Sequence, residues 1–334
     1  MAALEETGLR APGPGRRASL PRLDRRWLVF ALGALFFFGL TNFSLGYIAE
    51  KSAVDPRASV QAALILWLGT GMLGVAAAAA LRISGRGLAG LPGRAGLLLP
   101  AAAGLTLALG MLLLKSSLAA DPLAKGPIVA ITSSNSLVVA LLALVFVGEK
   151  LSSGQWAAFL ATVAGIVLVS LGGGGHLAMV GLALAAMMLF GLTNFFLKLA
   201  GERGCDSLSA SVVLWLSVGA CGVLACAGYW LVLSRWPRLG SPGLGWLALA
   251  AGILLGLGML GIKKAVTLGP AGPATAVSGS NAILVSLLDL GLLGHKLPAL
   301  KLLGMLAAVA GIVVFALTRP VGKSRAPGGA GRCA

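Results

Sequence analysis

The 334 residues are 58% hydrophobic and only 11% charged, whereas a soluble globular domain carries about a quarter charged residues. The net charge of +16 does not indicate nucleic-acid binding, because the basic residues gather in the tails and in short polar segments between apolar runs, where membrane topology puts them. A soluble domain is excluded, and an all-α integral membrane protein is expected.

Residues 1–26 are rich in Pro, Gly and Arg and read as a disordered basic cytosolic tail entering an uncleaved first helix. Apolar runs long enough to cross a bilayer then follow near 27–49, 59–83, 96–120, 127–147 and 153–171. The Gly172–Gly175 run is a short linker. Five more runs lie near 176–200, 209–233, 243–267, 271–293 and 298–318, and 319–334 is a second basic cytosolic tail. The 49 glycines suit helices packed backbone to backbone in lipid. Gly69-x-Gly71-x-x-Gly74 and Gly256-x-Gly258-x-x-Gly261 imitate a dinucleotide fingerprint. They lie inside apolar runs with no preceding strand, so packing is the expected role.

The two sets of five runs echo each other. GPIVAITSSNSLVVALLALVFVGEK, Gly126 to Lys150, returns as GPATAVSGSNAILVSLLDLGLLGHK, Gly272 to Lys296. Phe38-Gly-Leu-Thr-Asn-Phe43 recurs letter for letter at Phe190–Phe195, and Leu66-Trp-Leu68 recurs as Leu214-Trp-Leu216. Leu109-Gly-Met111 with Lys115 matches Leu257-Gly-Met259 with Lys263, and Ala164-Gly-Ile-Val167 matches Ala310-Gly-Ile-Val313. Five matches in one order mark a duplication. An odd number of spans per copy inverts the second copy, so the expected architecture is ten transmembrane helices as two inverted five-helix repeats. Most of the 26 lysines and arginines then fall on the cytosolic side with both termini.

This pattern resembles the drug/metabolite transporter superfamily, EamA type. The resemblance rests on Gly-Pro before the fourth and ninth spans, on Gly148-Glu149-Lys150-Leu151-Ser152…Gln155-Trp156, and on the following Ala164-Gly-Ile-Val-Leu168. His295 stands where the second copy would match Glu149. The resemblance implies a secondary transporter in the cytoplasmic membrane, moving a small organic metabolite by alternating access. Its site would lie between the repeats, among the first, third, fourth, sixth, eighth and ninth spans. A non-transporting receptor, scaffold or lipid-handling factor on the same fold is the competing reading.

Polar residues at mid-span are costly in lipid and therefore mark candidate sites. Asn42, Asn135, Asn194 and Asn281 are the sharpest, accompanied by Thr132, Ser134, Ser278 and Ser280. Amides offer donors and acceptors to hydroxyl-bearing or zwitterionic solutes; interhelical hydrogen bonding is their structural alternative. Lys115 and Lys263 are candidate cavity-mouth charges that favour anions, or snorkelling side chains. Asp289 is a candidate coupling carboxylate, with Lys296 or Lys301 as its expected ion-pair partner. Glu149–Lys150 is expected to close a cytosolic loop. Cys205, Cys221, Cys226 and Cys333 show no metal-type spacing, and His176 and His295 lie in unrelated contexts. No cofactor, metal or catalytic constellation is expected. The expected partners are a small-molecule solute and the lipid bilayer, with a homodimer left open and no nucleic acid.

Overall fold

The computed structural model describes residues 26–52, 55, 57–85, 93–147, 151–171, 177–268 and 271–318. The tails, the Gly172–Gly175 linker and Glu149–Lys150 lie outside them. Apolar residues without β-type alternation drive long helices: α1 (Arg26–Lys51), α2 (Ala58–Ile83) and α3 (Gly93–Ala120). The next run is broken into α4 (Lys125–Ser133) and α5 (Asn135–Leu142), and α5 passes into a one-turn π-helix at Ala143–Val147. After α6 (Ser153–Leu171) come α7 (Leu177–Glu202), α8 (Ser207–Leu233) and α9 (Pro242–Leu268). The following run is broken again, into α10 (Ala271–Gly279) and α11 (Asn281–Leu293), and α12 (Ala299–Leu317) ends the described chain. No strand occurs among the described residues.

Seven of these segments are long and apolar enough to cross a membrane, with Lys125–Phe146 counted as one, and three shorter apolar helices accompany them. The architecture is that of a multi-pass membrane protein. Its outer surface agrees, since Val29, Phe36, Met72, Val223, Leu224 and Val232 are all exposed. Asp206 caps α8, its carboxylate accepting from the Ser209 N–H at 2.9 Å. That bond holds the Asp206 carboxyl below its usual range.

Small residues decide the packing. Helices α2 and α8 cross at Gly71 and Gly219, where a Cβ added to either would stand 2.5 Å from the other's Cα. Both GxGxxG runs are packing surfaces, with Gly69 against the Leu249 carbonyl and Gly258 against the Phe38 ring. Contacts recur between sequence-matched residues: Gly258 meets Phe38 as Gly110 meets Phe190. Likewise Gly39 meets Leu284 as Gly191 meets Val138, and Gly74 meets Trp215 as Gly222 meets Trp67. Helix α1 packs on α9 and on the broken pair α10–α11, α3 packs on α7, and α6 packs on α12.

A side chain at the Gly71–Gly219 crossing has nowhere to go. Gly219→Val is expected to cost about 1–3 kcal/mol or more through forced separation of α2 and α8. Gly228→Val, at a position with no neighbour within 4 Å of an added Cβ, is expected to leave stability near native. Thermal unfolding of the two purified variants checks this, and equal stability of the two would contradict it.

Candidate functional site

Both helix breaks fall at equivalent serines. Ser134 N–H bonds the Ile131 carbonyl at 3.1 Å, and Ser280 N–H bonds the Val277 carbonyl at 3.2 Å. Each tight turn frees a carbonyl in a region with no water to receive it. The next residue supplies a donor: Asn135 Nδ2 donates to Thr132 O at 3.0 Å, and Asn281 Nδ2 donates to Ser278 O at 2.8 Å. The amide oxygen left over then reaches the other half of the chain. Asn281 Oδ1 accepts from Asn42 Nδ2 at 3.1 Å, and Asn135 Oδ1 accepts from Asn194 Nδ2 at 3.0 Å. The four predicted asparagines thus come together as two crosswise pairs.

Three of the hydroxyl residues named with them bond to a preceding carbonyl instead. Thr132 Oγ1 donates to Val129 O, Ser134 Oγ to Ala130 O and Ser278 Oγ to Thr275 O, each within its own helix. Such back-bonding satisfies a buried hydroxyl locally. Ser280 serves as the N-cap position of α11 without a side-chain cap bond. Ser133, by contrast, accepts a second bond from Asn281 at 3.3 Å. A Thr106–Thr193 hydroxyl pair at 2.9 Å was not anticipated from the sequence. It joins α3 to α7 beside Asn194.

The two asparagine pairs differ in access. Asn42 and Asn281 are buried, at 8% and 4% exposure; Asn135 and Asn194 are only half-buried. The lysines repeat the contrast. Lys115 is fully buried with its Nζ on the Leu45 carbonyl at 2.8 Å, so it does not snorkel to an interface. Its counterpart Lys263 is half-buried, and its Nζ bonds the Ser207 carbonyl at 3.3 Å.

An ionic cluster lies about two turns beyond Asn42, where α1 ends. Lys125 Nζ, from the first residue of α4, donates to Glu50 Oε2 at 2.9 Å and to Asp289 Oδ1 at 2.5 Å. His295 adds Nδ1 to Asp289 Oδ1 at 3.3 Å and Nε2 near Glu50 Oε1 at 3.8 Å. Lys125 threads its stem against Gly46, where an added Cβ would meet its Cδ at 2.6 Å. This corrects the expected partner of Asp289: it is Lys125, while Lys301 is bound by Asp121 at 2.6 Å. Lys125 looks like a loop residue because it precedes Gly126-Pro127, yet helix α4 begins with it. Glu50, Asp289 and His295 lie close enough together to ligate one ion. The Lys125 ammonium already bridges the two carboxylates, so the cluster reads as an ion-pair network.

No family model matches the sequence, and no curated protein matches it. Fifteen solved chains are similar in structure. One, described only as "Crystal structure of protein", aligns over 87% of this chain and 97% of its own, with a TM-score of 0.55 and 21% identity. At that identity the similarity establishes a shared fold and nothing about activity.

The access difference gives the asparagines unequal structural weight. Asn281→Leu leaves the buried Asn42 amide and the Ser278 carbonyl without partners, and is expected to cost about 1–3 kcal/mol. Asn135→Leu removes the donor to the Thr132 carbonyl but frees only a half-buried Asn194 amide, and is expected to cost less, about 0.6 kcal/mol, typical of membrane hydrogen bonds. Chemical or thermal unfolding of both variants checks the order; a larger loss for Asn135→Leu would reverse the assignment of buried and accessible pairs.

Proposed function

We propose that the chain is a secondary transporter of the EamA type that moves a small organic metabolite across the cytoplasmic membrane. Its ten spans form two inverted five-helix repeats, with both termini in the cytosol and the polar site between the repeats. Each broken pair, α4–α5 and α10–α11, counts as one span, and the three shorter apolar helices complete the ten. The reciprocal contacts of sequence-matched glycines support a two-fold relation between the halves. Discontinuous helices at mid-membrane are a recurring way to place backbone and amide groups beside a transported solute.

The observation that carries the reading is the unequal burial of matched residues. A duplicated protein at rest in one symmetrical state would expose matched residues equally. Here Lys115 and the Asn42–Asn281 pair are buried, while Lys263 and the Asn135–Asn194 pair are only half-buried. In an inverted repeat this means one end shut and the other end open, and exchange of the two conformations between the halves carries a solute across. The shut end is held by charge. Glu50 and Lys125 belong to the first half, Asp289 and His295 to the second, so the Lys125–Asp289 pair, with His295 near Glu50 at 3.8 Å, ties the halves together. Opening that end requires Lys125 and Asp289 to part and meet water.

Two measurements test this. With the native cysteines replaced by serine, a cysteine at Gly240 is expected to react with an impermeant maleimide from outside, and one at Glu202 only from inside. Both positions are exposed, at opposite ends of α8. Ser52, at 9% exposure beside the ionic cluster, reports the latch. Ser52→Cys is expected to label slowly in the native background and at least tenfold faster when Lys125→Met removes the tie. Reconstituted protein is then assayed for counterflow with a metabolite panel. Outside labelling at Glu202 rejects the orientation, and protein that moves no solute while folding normally favours the non-transporting alternative.

A further inference from the structure

Resting on the transporter reading, one further feature concerns the class of solute. Three lysines of the helical body are almost wholly buried: Lys115 and Lys125 at 0% exposure and Lys301 at 6%. Two of them have a carboxylate, Lys125 at 2.5 Å from Asp289 and Lys301 at 2.6 Å from Asp121. Lys115 has none. Among the described residues its ammonium meets one backbone carbonyl, that of Leu45, although it carries three donors. Burying an ammonium costs several kcal/mol that a carbonyl dipole offsets only in part, and the other two buried lysines follow the rule that Lys115 breaks.

The same position in the second half is again a lysine with no carboxylate in ion-pair contact. Lys263 Nζ bonds the Ser207 carbonyl. Asp206 is near enough to act on it through space, but the Asp206 carboxylate is engaged by the Ser209 N–H at 2.9 Å and the Ser209 hydroxyl at 3.1 Å. Among the described residues neither matched lysine is in ion-pair contact with a carboxylate, which leaves room for a negative charge supplied from outside the chain.

We propose that Lys115 and Lys263 bind the oxyanion of a small organic anion, a carboxylate or phosphate, as it passes between the two ends of the site. Leu45 lies one turn beyond Asn42 on α1, a rise of about 5 Å. An oxyanion at Lys115 therefore leaves the rest of a small solute alongside the Asn42–Asn281 amides, which suit its hydroxyl or amide groups. Lys263, half-buried at the open end, meets the anion first; Lys115 receives it once the shut end opens.

The test uses the full-length purified protein with L-malate, L-glutamate and inorganic phosphate as probes. Malamide and choline serve as uncharged and cationic controls at matched ionic strength. At least one anion is expected to raise the melting temperature of the native protein above both controls. Lys115→Met is expected to weaken that response at least tenfold while leaving the ligand-free melting temperature equal or higher. Lys115→Arg keeps the response, and Lys263→Met slows counterflow of the same anion. A ligand-free melting temperature that drops in Lys115→Met with the anion response intact makes the lysine a structural brace and overturns the proposal. So does stabilisation confined to malamide or choline, or by no anion at all. If Lys115→Met does not fold, an unchanged response in Lys263→Met is decisive against it. Counterflow of malamide or choline alone would sink the anion assignment and leave the transporter reading standing, whereas no flux of any solute by folded protein sinks the transporter reading as well.

Discussion

Inside a bilayer, a backbone group released from a helix has no water to turn to, and that constraint organises this protein around Ser134 and Ser280. Each interruption frees carbonyls at mid-span, and the residue that follows must return a donor to them. Asparagine does so with its amide nitrogen and still has an oxygen to offer. That oxygen reaches α7 from Asn135 and α1 from Asn281. The repair of a broken helix thereby becomes the tie between the two halves. The glycines at Gly39 and Gly191 matter for the same reason, since only a bare Cα lets Leu284 and Val138 approach near enough for the amides to meet.

Charge follows the same logic at the end of α1. Lys125, at 0% exposure, has its charge offset by Glu50 and Asp289, and the buried Asp289 carboxylate is in turn offset by Lys125. The first half has Ala143 and Glu149 where the second has Asp289 and His295, so this network cannot form at the opposite end. On the transporter reading, the two ends of the site thus close by different chemistry even though the helices around them are matched.

The helices were legible because hydropathy alone marks them. The asparagines were legible because duplication displayed each of them twice. Their partners were not, since the crosswise pairing of Asn42 with Asn281 and Asn194 with Asn135 exists only once the halves pack. The breaks escaped notice because serine interrupts a helix here without a proline or a charge. Thr132, Ser134 and Ser278 looked like site residues from their company, but hydroxyls can bond to the preceding turn and need no site. The ionic cluster was least visible of all. Glu50, Lys125 and the Asp289–His295 pair come from three separate segments, and Glu50 and Lys125 sit at helix ends that hydropathy cannot place to within a turn.

The relative strengths of these contacts bear on how such a protein could move. A membrane hydrogen bond between amides is worth about 0.6 kcal/mol on average, whereas breaking a buried ion pair by removing one partner costs about 3–5 kcal/mol. The asparagine pairs at mid-span can therefore part and re-form close to thermal energy, exchanging each other's amides for those of a solute. A 1:99 to 99:1 shift between two states takes about 5.5 kcal/mol, and on the proposed cycle the Lys125–Asp289 pair must part for the shut end to open. On the proposed cycle, the solute is gripped where contacts are weak and exchangeable. The choice of which side faces it is made about two turns away, where Lys125 either bridges Glu50 and Asp289 or releases them to water.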